Sequence, residues 1–205
     1  MQAPGGPTED PTHGFELGGW STTYWDDIMG GAMNSVMSGQ FDLLLGRRTY
    51  EIFAAHWPFM TGDPIAERFN SIAKYVVTSS TGSLGWHNSH AMNGDAAKAI
   101  GDLKASDGPD LLVQGSSALY PTLFDRRLID RLFVMTFPVV LGHGKRLFAD
   151  GLRSFALRLV DHKTSTTGVT ITTYEPAGDV QLGSFQRDTP SDLEIARQAR
   201  MKAEG

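Results

Sequence analysis

Apolar residues fall in short blocks along this chain, and each early block gives way to a helical spacing. Phe41, Leu43, Leu44 and Leu45 form the clearest block and predict a short buried strand. Gly46 ends it. Arg47-Arg48-Thr49-Tyr50-Glu51-Ile52-Phe53 then predicts a helix that runs to about His56 and stops at Pro58. Ahead of this pair, Trp25, Ile28, Met29, Ala32, Met33, Val36 and Met37 recur at spacings of three and four, one face of a helix. Its first turn carries Asp26 and Asp27, where negative charge is favoured. Met29, Met33 and Met37 read as core filling. Asp63 and Pro64 predict a cap and first residue for a helix from Ile65 to Ile72.

Lys74 to Thr78 is β-branched and predicts a second strand, ending in the polar turn Ser79-Ser80-Thr81-Gly82. Trp86 to Met92 is ambiguous and fits a short edge strand. Gly94 to Ala105 reads as an amphipathic helix with Ala96, Ile100 and Leu103 inward. Asp110 to Gln114 is another buried strand, followed at once by Gly115-Ser116-Ser117. Ala118 to Leu128 is helical in pattern, with Pro121 near its first turn. Asp130 to Leu141 is the longest apolar stretch and reads as a strand in which Pro138 marks a bulge or an edge. Phe155 to His162 and Val169 to Tyr174 alternate around Thr166-Thr167-Gly168, a closing hairpin.

Met1 to Gly19 is dominated by glycine, proline and polar residues, and predicts a long loop with neither strand nor helix. After Pro176 the chain turns polar. Ser191 and Glu194 are spaced as a capping box, so Asp192 to Lys202 predicts a solvated, loosely attached helix. The domain therefore spans 1–178, with 179–205 as a tail. Strands alternate with helices up to about Leu128, which predicts an α/β fold whose mostly parallel sheet is covered on both faces. The terminal hairpin adds antiparallel strands at one side.

Composition narrows the function classes. At 205 residues with 40% apolar and 20% charged residues, one globular domain is expected. A net charge of −5 argues against a nucleic-acid surface. The chain has no cysteine, which excludes disulfides, thiolate metal sites and a cysteine nucleophile. No apolar run reaches the roughly 18 residues of a membrane span, and no secretory signal opens the chain. A cytoplasmic protein without membrane or nucleic-acid partners is the expectation.

The chemistry concentrates at three strand ends: Gly46-Arg47-Arg48-Thr49, Thr78-Ser79-Ser80-Thr81 and Gly115-Ser116-Ser117. In a parallel sheet all three lie on one edge, where ligands bind. A helix start offers free amides and a partial positive charge of roughly half a unit. Two adjacent arginines add forks suited to phosphate, although they also suit a solvated helix start. Together the three ends point to a multi-phosphate ligand such as a dinucleotide. Neither G-x-G-x-x-G nor the P-loop pattern is present.

Leu43-Leu44-Leu45-Gly46-Arg47-Arg48-Thr49-Tyr50-Glu51 resembles the cofactor-binding turn of the dihydrofolate-reductase-like family. The resemblance continues through Leu112-Val113-Gln114-Gly115-Ser116-Ser117 and Pro138-Val139-Val140-Leu141-Gly142-His143-Gly144-Lys145-Arg146-Leu147-Phe148. It covers roughly Met1 to Gly178. The branch it resembles most is the C-terminal reductase domain of the bacterial riboflavin-biosynthesis bifunctional deaminase/reductase. The resemblance implies a three-layer αβα mixed sheet, NADPH as cofactor and a homodimer. It implies that Gly46, Arg47, Arg48 and Thr49 meet the pyrophosphate and the adenosine phosphate. Thr78, Ser79 and Ser80 would hold the adenosine end, with Gly115, Ser116 and Ser117 under the pyrophosphate. Family members open with an apolar strand, ending in Asp-Gly, in the middle of the sheet. This sequence begins at the following loop, so the expectation is a sheet without that strand and a pocket without its carboxylate, both restored by an upstream start.

Asp26 and Asp27 remain the carboxylate candidates for anchoring or protonating a substrate, against an ordinary role as helix-start charge. Trp20, Trp25 and Trp57 suit stacking on a flat heterocycle or packing. His87 and His90 lack a third ligand nearby, and no metal site is expected. His143 lies in the glycine-rich turn near the expected pocket. The reading is an NADPH-dependent reductase of a small heterocycle, a pterin or a 5-amino-6-ribosylaminouracil-like pyrimidine. The alternatives are a non-catalytic nucleotide-binding protein that keeps the cleft, and a ligand-free structural dimer.

Overall fold

The computed structural model describes residues 1–148 and 150–204. Its centre is β1 (Phe41–Gly46), hydrogen-bonded on both sides in a parallel sheet with β2 (Lys74–Val77), β3 (Ser89–Met92) and β4 (Asp110–Leu112), in the order β3-β2-β1-β4. Leu43, Leu44 and Leu45 are all buried, because a central parallel strand is covered on both faces. Successive side chains alternate between those faces. Leu43 and Leu45 pack with Tyr50, Phe69, Val76 and Trp86, whereas Leu44 packs with Ile100, Leu123 and Phe124 on the other side. Helices α2 (Arg47–Ala54) and α3 (Pro64–Ser71) cover the first face, and α4 (Ala96–Ala105) and α5 (Tyr120–Asp125) the second. The architecture is α/β in three layers.

Helix α1 (Asp27–Val36) sets Met29 and Ala32 against Ile171 of the second sheet and Val169 just before it. That sheet is antiparallel: β5 (Leu132–Thr136), β6 (Leu157–Thr164) and β7 (Thr170–Pro176) in the order β5-β7-β6. It corrects the expectation of one mixed sheet extended by the hairpin. Among the described residues no strand pairs with the outer edge of β4 or of β5. The two sheets are joined through apolar contact instead, since Leu111, Val113, Leu132, Val134 and Tyr174 pack on one cluster. The long strand expected over Asp130 to Leu141 stops at Thr136. Pro138 follows, Val139 donates to the Phe137 carbonyl at 2.8 Å, and the Val140 side chain is 94% exposed.

Other boundaries also shift. The ambiguous stretch forms the parallel edge strand β3, while Trp86 lies buried before it. The strand from Asp110 ends at Leu112 rather than Gln114. The helix expected from Ala118 to Leu128 is a 3-10 turn (Ser117–Leu119) followed by α5, and Arg127 closes it at φ 53°. The opening loop contains one 3-10 turn, Thr12–Gly14, and a second, Thr22–Tyr24, follows it. The loop is not a loose segment, because Gln2, Ala3 and Phe15 are all buried. The Gln2 amide donates to the carbonyls of Asp10 (2.9 Å) and Thr12 (2.8 Å). Helix α6 (Asp192–Glu204) buries none of its residues, and Ser191 accepts the Glu194 amide at its start.

One buried cation braces the sheet. Lys74 is fully buried, and its ammonium donates to the carbonyls of Phe69, Asn70 and Ile72 at 2.7, 3.1 and 2.8 Å, which closes the end of α3. It also lies 4.4 Å from the Trp86 ring centre. Burial lowers its pKa to about 8, with Asp42 acting in the opposite direction.

Candidate functional site

The parallel registers decide where the three chemistry-bearing turns meet. Gly46 pairs with Val77, so Thr78 begins the turn beside it. The register Leu43↔Leu112, continued three residues, brings Gly46 level with Gly115. Gly46, Thr78 and Gly115 therefore share one rim.

At the centre of that rim, α2 starts without a side-chain cap; Gly46 holds φ −77° and ψ 153° and has no side chain to offer. Three other helices begin on an aspartate that accepts their first amides: Asp26 for α1, Asp63 for α3 and Asp95 for α4. The uncapped start leaves the partial positive charge of α2 facing outward. The 3-10 turn after Gly115 also lacks a side-chain cap.

The two arginines separate. Arg47 donates from Nε to Glu51 Oε1 (2.6 Å) and from Nη1 to the Gly82 carbonyl (3.4 Å), so it spans toward the turn after β2. Arg48 is exposed and points toward the opening loop, with Nη1 3.5 Å from Thr12 Oγ1. Glu51 and Gly82 were not among the expected site residues. The i,i+4 spacing from Arg47 was a readable signal for Glu51, whereas Gly82 required the fold.

Thr49 and Ser116 lock two turns together. Ser116 Oγ accepts the Gly46 amide at 2.9 Å, and the Ser116 amide donates to Thr49 Oγ1 at 3.0 Å. Gly115 sits at φ +67°, and a Cβ there would lie 3.2 Å from the Thr49 methyl, so any side chain would be both strained and crowded. On the other flank, Thr78 Oγ1 accepts the Ser80 amide and Ser80 Oγ accepts the Gly82 amide, with Ser79 and Ser80 exposed. Ser117 opens the 3-10 turn. Gln114 Oε1, just before Gly115, is buried and has no hydrogen-bond donor among the described residues.

The carboxylate candidates lie elsewhere. Asp26 Oδ1 accepts the Met29 amide at 2.9 Å, while Oδ2 accepts both the amide and hydroxyl of Thr166 at 2.7 Å. These bonds, the Met29 amide first and the Thr166 hydroxyl next, hold its pKa below the usual range. A carboxylate so engaged clamps α1 to the β6–β7 turn and carries no proton at neutral pH. Asp27 is exposed in the first turn of α1.

The aromatic candidates also divide. Trp57 packs edge-on against Phe53 and Phe69. Trp20 packs edge-on against Phe137 and donates to the Gln2 carbonyl, and Trp25 is half exposed. His90 stacks on Tyr75, His87 is exposed, and no metal-binding cluster occurs among the described residues.

His143 meets Phe15 edge-on in the turn 142–146, which borders an open cavity of about 410 Å³. That turn is tied to the opening loop by the ion pair of Lys145 with Asp10 and by the Lys145 amide to Gln2 Oε1 (3.2 Å). Burial acts to raise the Asp10 pKa, but the bonds from Lys145 and Thr12 outweigh it, and the net shift is downward. Sequence reasoning missed this tie, since its partners are 135 residues apart.

Comparison with known proteins places this geometry. The sequence model of the RibD C-terminal domain matches residues 2–171. The uncharacterized protein YyaP of Bacillus subtilis (strain 168) is 27% identical over 132 residues, which are 62% of this chain and 69% of that protein. A putative riboflavin biosynthesis protein from Shewanella sp. PV-4 superposes with a TM-score of 0.56 at 22% identity, covering 75% of this chain and 81% of the other. A pyrimidine reductase-like protein from Corynebacterium diphtheriae gives 0.54 at 13% identity, over 78% and 85%. A diaminohydroxyphosphoribosylaminopyrimidine deaminase/5-amino-6-(5-phosphoribosylamino)uracil reductase from Thermotoga maritima gives 0.51 at 14% identity. That match covers 75% of this chain and half of the Thermotoga protein. No helix among the described residues is long and apolar enough to cross a membrane.

Proposed function

This chain belongs to the RibD C-terminal domain family, and from that premise we propose that it is an NADPH-dependent reductase of a small heterocycle. The observation that carries the reading is the shared rim: an uncapped α2 start, Arg47 beside the Ser80–Gly82 turn, and Gly115 in close contact with Thr49. These groups fit a dinucleotide. The α2 amides suit the pyrophosphate, and Gly115, packed on Thr49, brings the turn after β4 close beside them. Glu51 and the Gly82 carbonyl hold Arg47 at the turn after β2, which carries Ser79 and Ser80, a placement suited to the adenosine phosphate. Bound there, NADPH supplies a hydride equivalent for a C=N or C=O bond, and the protein's part is to hold and orient. A pterin or a 5-amino-6-ribosylaminouracil-like pyrimidine is the proposed substrate, and a homodimer in the cytoplasm the proposed state. The edge of β6 that no described strand pairs, with Leu159 and Val160 exposed, suits a partner copy.

A second reading is favoured by one observation. Asp26 is committed to the α1 clamp. A protein that binds the nucleotide without reducing anything fits that arrangement. Titration with NADPH and NADH, followed by turnover against pterins and aminouracils, separates the readings. The reductase reading requires NADPH binding and consumption by at least one member of the panel. Binding without turnover selects the second reading, and no binding removes both. Arg47→Ala is expected to weaken NADPH by about tenfold or more while sparing NADH, as loss of a charged hydrogen bond predicts.

A further inference from the structure

Thr49 and Ser116 have hydroxyls in the position expected of phosphate ligands, yet both are engaged inside the protein. Ser116 Oγ accepts the Gly46 amide, and Thr49 Oγ1 accepts the Ser116 amide, at 2.9 and 3.0 Å. The bonds are reciprocal: each turn gives an amide to a hydroxyl of the other and receives one at its own. Ser116 is only 7% exposed and is held at φ 54°, a left-handed conformation that costs a serine free energy. The Thr49 methyl fills the space beneath Gly115, so the two turns also touch through carbon.

We infer that Thr49 and Ser116 are positioning residues: a two-bond clasp that fixes the start of α2 against the turn after β4, so that their amides face one ligand. This rests on the nucleotide-binding reading and deepens it. The clasp sets the geometry of the phosphate cradle, while backbone amides and Arg47 make the contacts. Because β1 and β4 adjoin in the sheet, slippage between their ends would aim the two sets of amides apart without unfolding either strand.

The test uses the full chain with Thr49→Val, Thr49→Ser and Ser116→Gly, reading NADPH affinity and melting temperature separately. Thr49→Val keeps the shape and removes the acceptor; its NADPH Kd is expected to rise about fivefold to tenfold, as one lost hydrogen bond predicts. Thr49→Ser keeps the acceptor and should restore wild-type affinity. Ser116→Gly loses one bond but relieves the left-handed strain, so its melting temperature should hold while affinity falls. Equal NADPH affinity in the wild type, Thr49→Val and Ser116→Gly overturns the clasp alone. Equal impairment of Thr49→Val and Thr49→Ser does so too, because restoring the hydroxyl acceptor then fails to restore affinity. A parallel fall of affinity and melting temperature in Ser116→Gly marks a merely structural bond and also overturns it. Failure of the wild type to bind NADPH removes the nucleotide reading and the clasp with it.

Discussion

Helices α2 and α3 follow one another in the chain, and their first turns handle the same unpaired amides in opposite ways. At α3, Asp63 Oδ1 accepts from Ile65 (2.8 Å) and Ala66 (3.0 Å), and Pro64 has no amide to satisfy. At α2, Gly46 presents no side chain and its amide goes to Ser116 on the neighbouring turn. The first arrangement closes a helix electrically with its own carboxylate. The second leaves the positive end open at the rim of the sheet, flanked by Arg47. A helix start that the chain caps is finished, whereas one that it leaves uncapped beside cations has room for an anion.

Transplanting the α3 solution onto α2 tests the difference most severely. Gly46→Asp is tolerated by the backbone, since φ is −77° and a Cβ would meet only ordinary contacts near 3.8 Å. The new carboxylate is expected to hold or raise the melting temperature while weakening NADPH on the order of a hundredfold, the scale of losing charge-assisted phosphate bonds. Calorimetry and fluorescence titration on one sample check both halves.

Gly115→Ala comes next. Its Cβ would press on Thr49 at 3.2 Å from a left-handed backbone. A cost of about 1–2 kcal/mol is expected, with NADPH weakened by about tenfold. Denaturant unfolding gives the first number and titration the second.

Asp63→Ala is the control on the capped side. It should cost about 1 kcal/mol, or roughly 2–4 °C in melting temperature for a domain of this size. NADPH affinity should not change.

The smallest effect is acid sensitivity. Asp26 has its pKa lowered by the bonds from Met29 and Thr166. A lowered carboxylate contributes stability that is present above its ordinary value near 3.8 and lost as pH falls through the folded value. Acid should therefore loosen the α1–hairpin contact while leaving the uncapped α2 start unaffected. Amide exchange at Met29 and Thr166 compared with Thr49, from pH 5 to pH 2, reads this directly.

What was legible in the chain follows the range of the interactions. The Leu43–Leu45 run, the Asp63-Pro64 start and the Thr166-Thr167-Gly168 hairpin turn rest on neighbours a few residues apart, so pattern alone located them. The long apolar stretch after Asp130 misled for the same reason. Hydrophobicity does not tell a strand from the exposed segment beyond Pro138, where Val140 faces solvent. The opening loop showed no element in the sequence because Lys145, which ties it down through Asp10 and Gln2, is far along the chain.

Local pattern was enough for the α/β class, the strand-to-helix turns and the residue types at three strand ends. Those properties come from side-chain period, backbone preference and capping, all local. Long-range contacts divide the strands into two sheets, make Asp26 a clamp, and turn Arg47 and Arg48 different ways. Sheet register and hydrogen bonding across the chain decide those outcomes, and neither is encoded within a window of neighbouring residues.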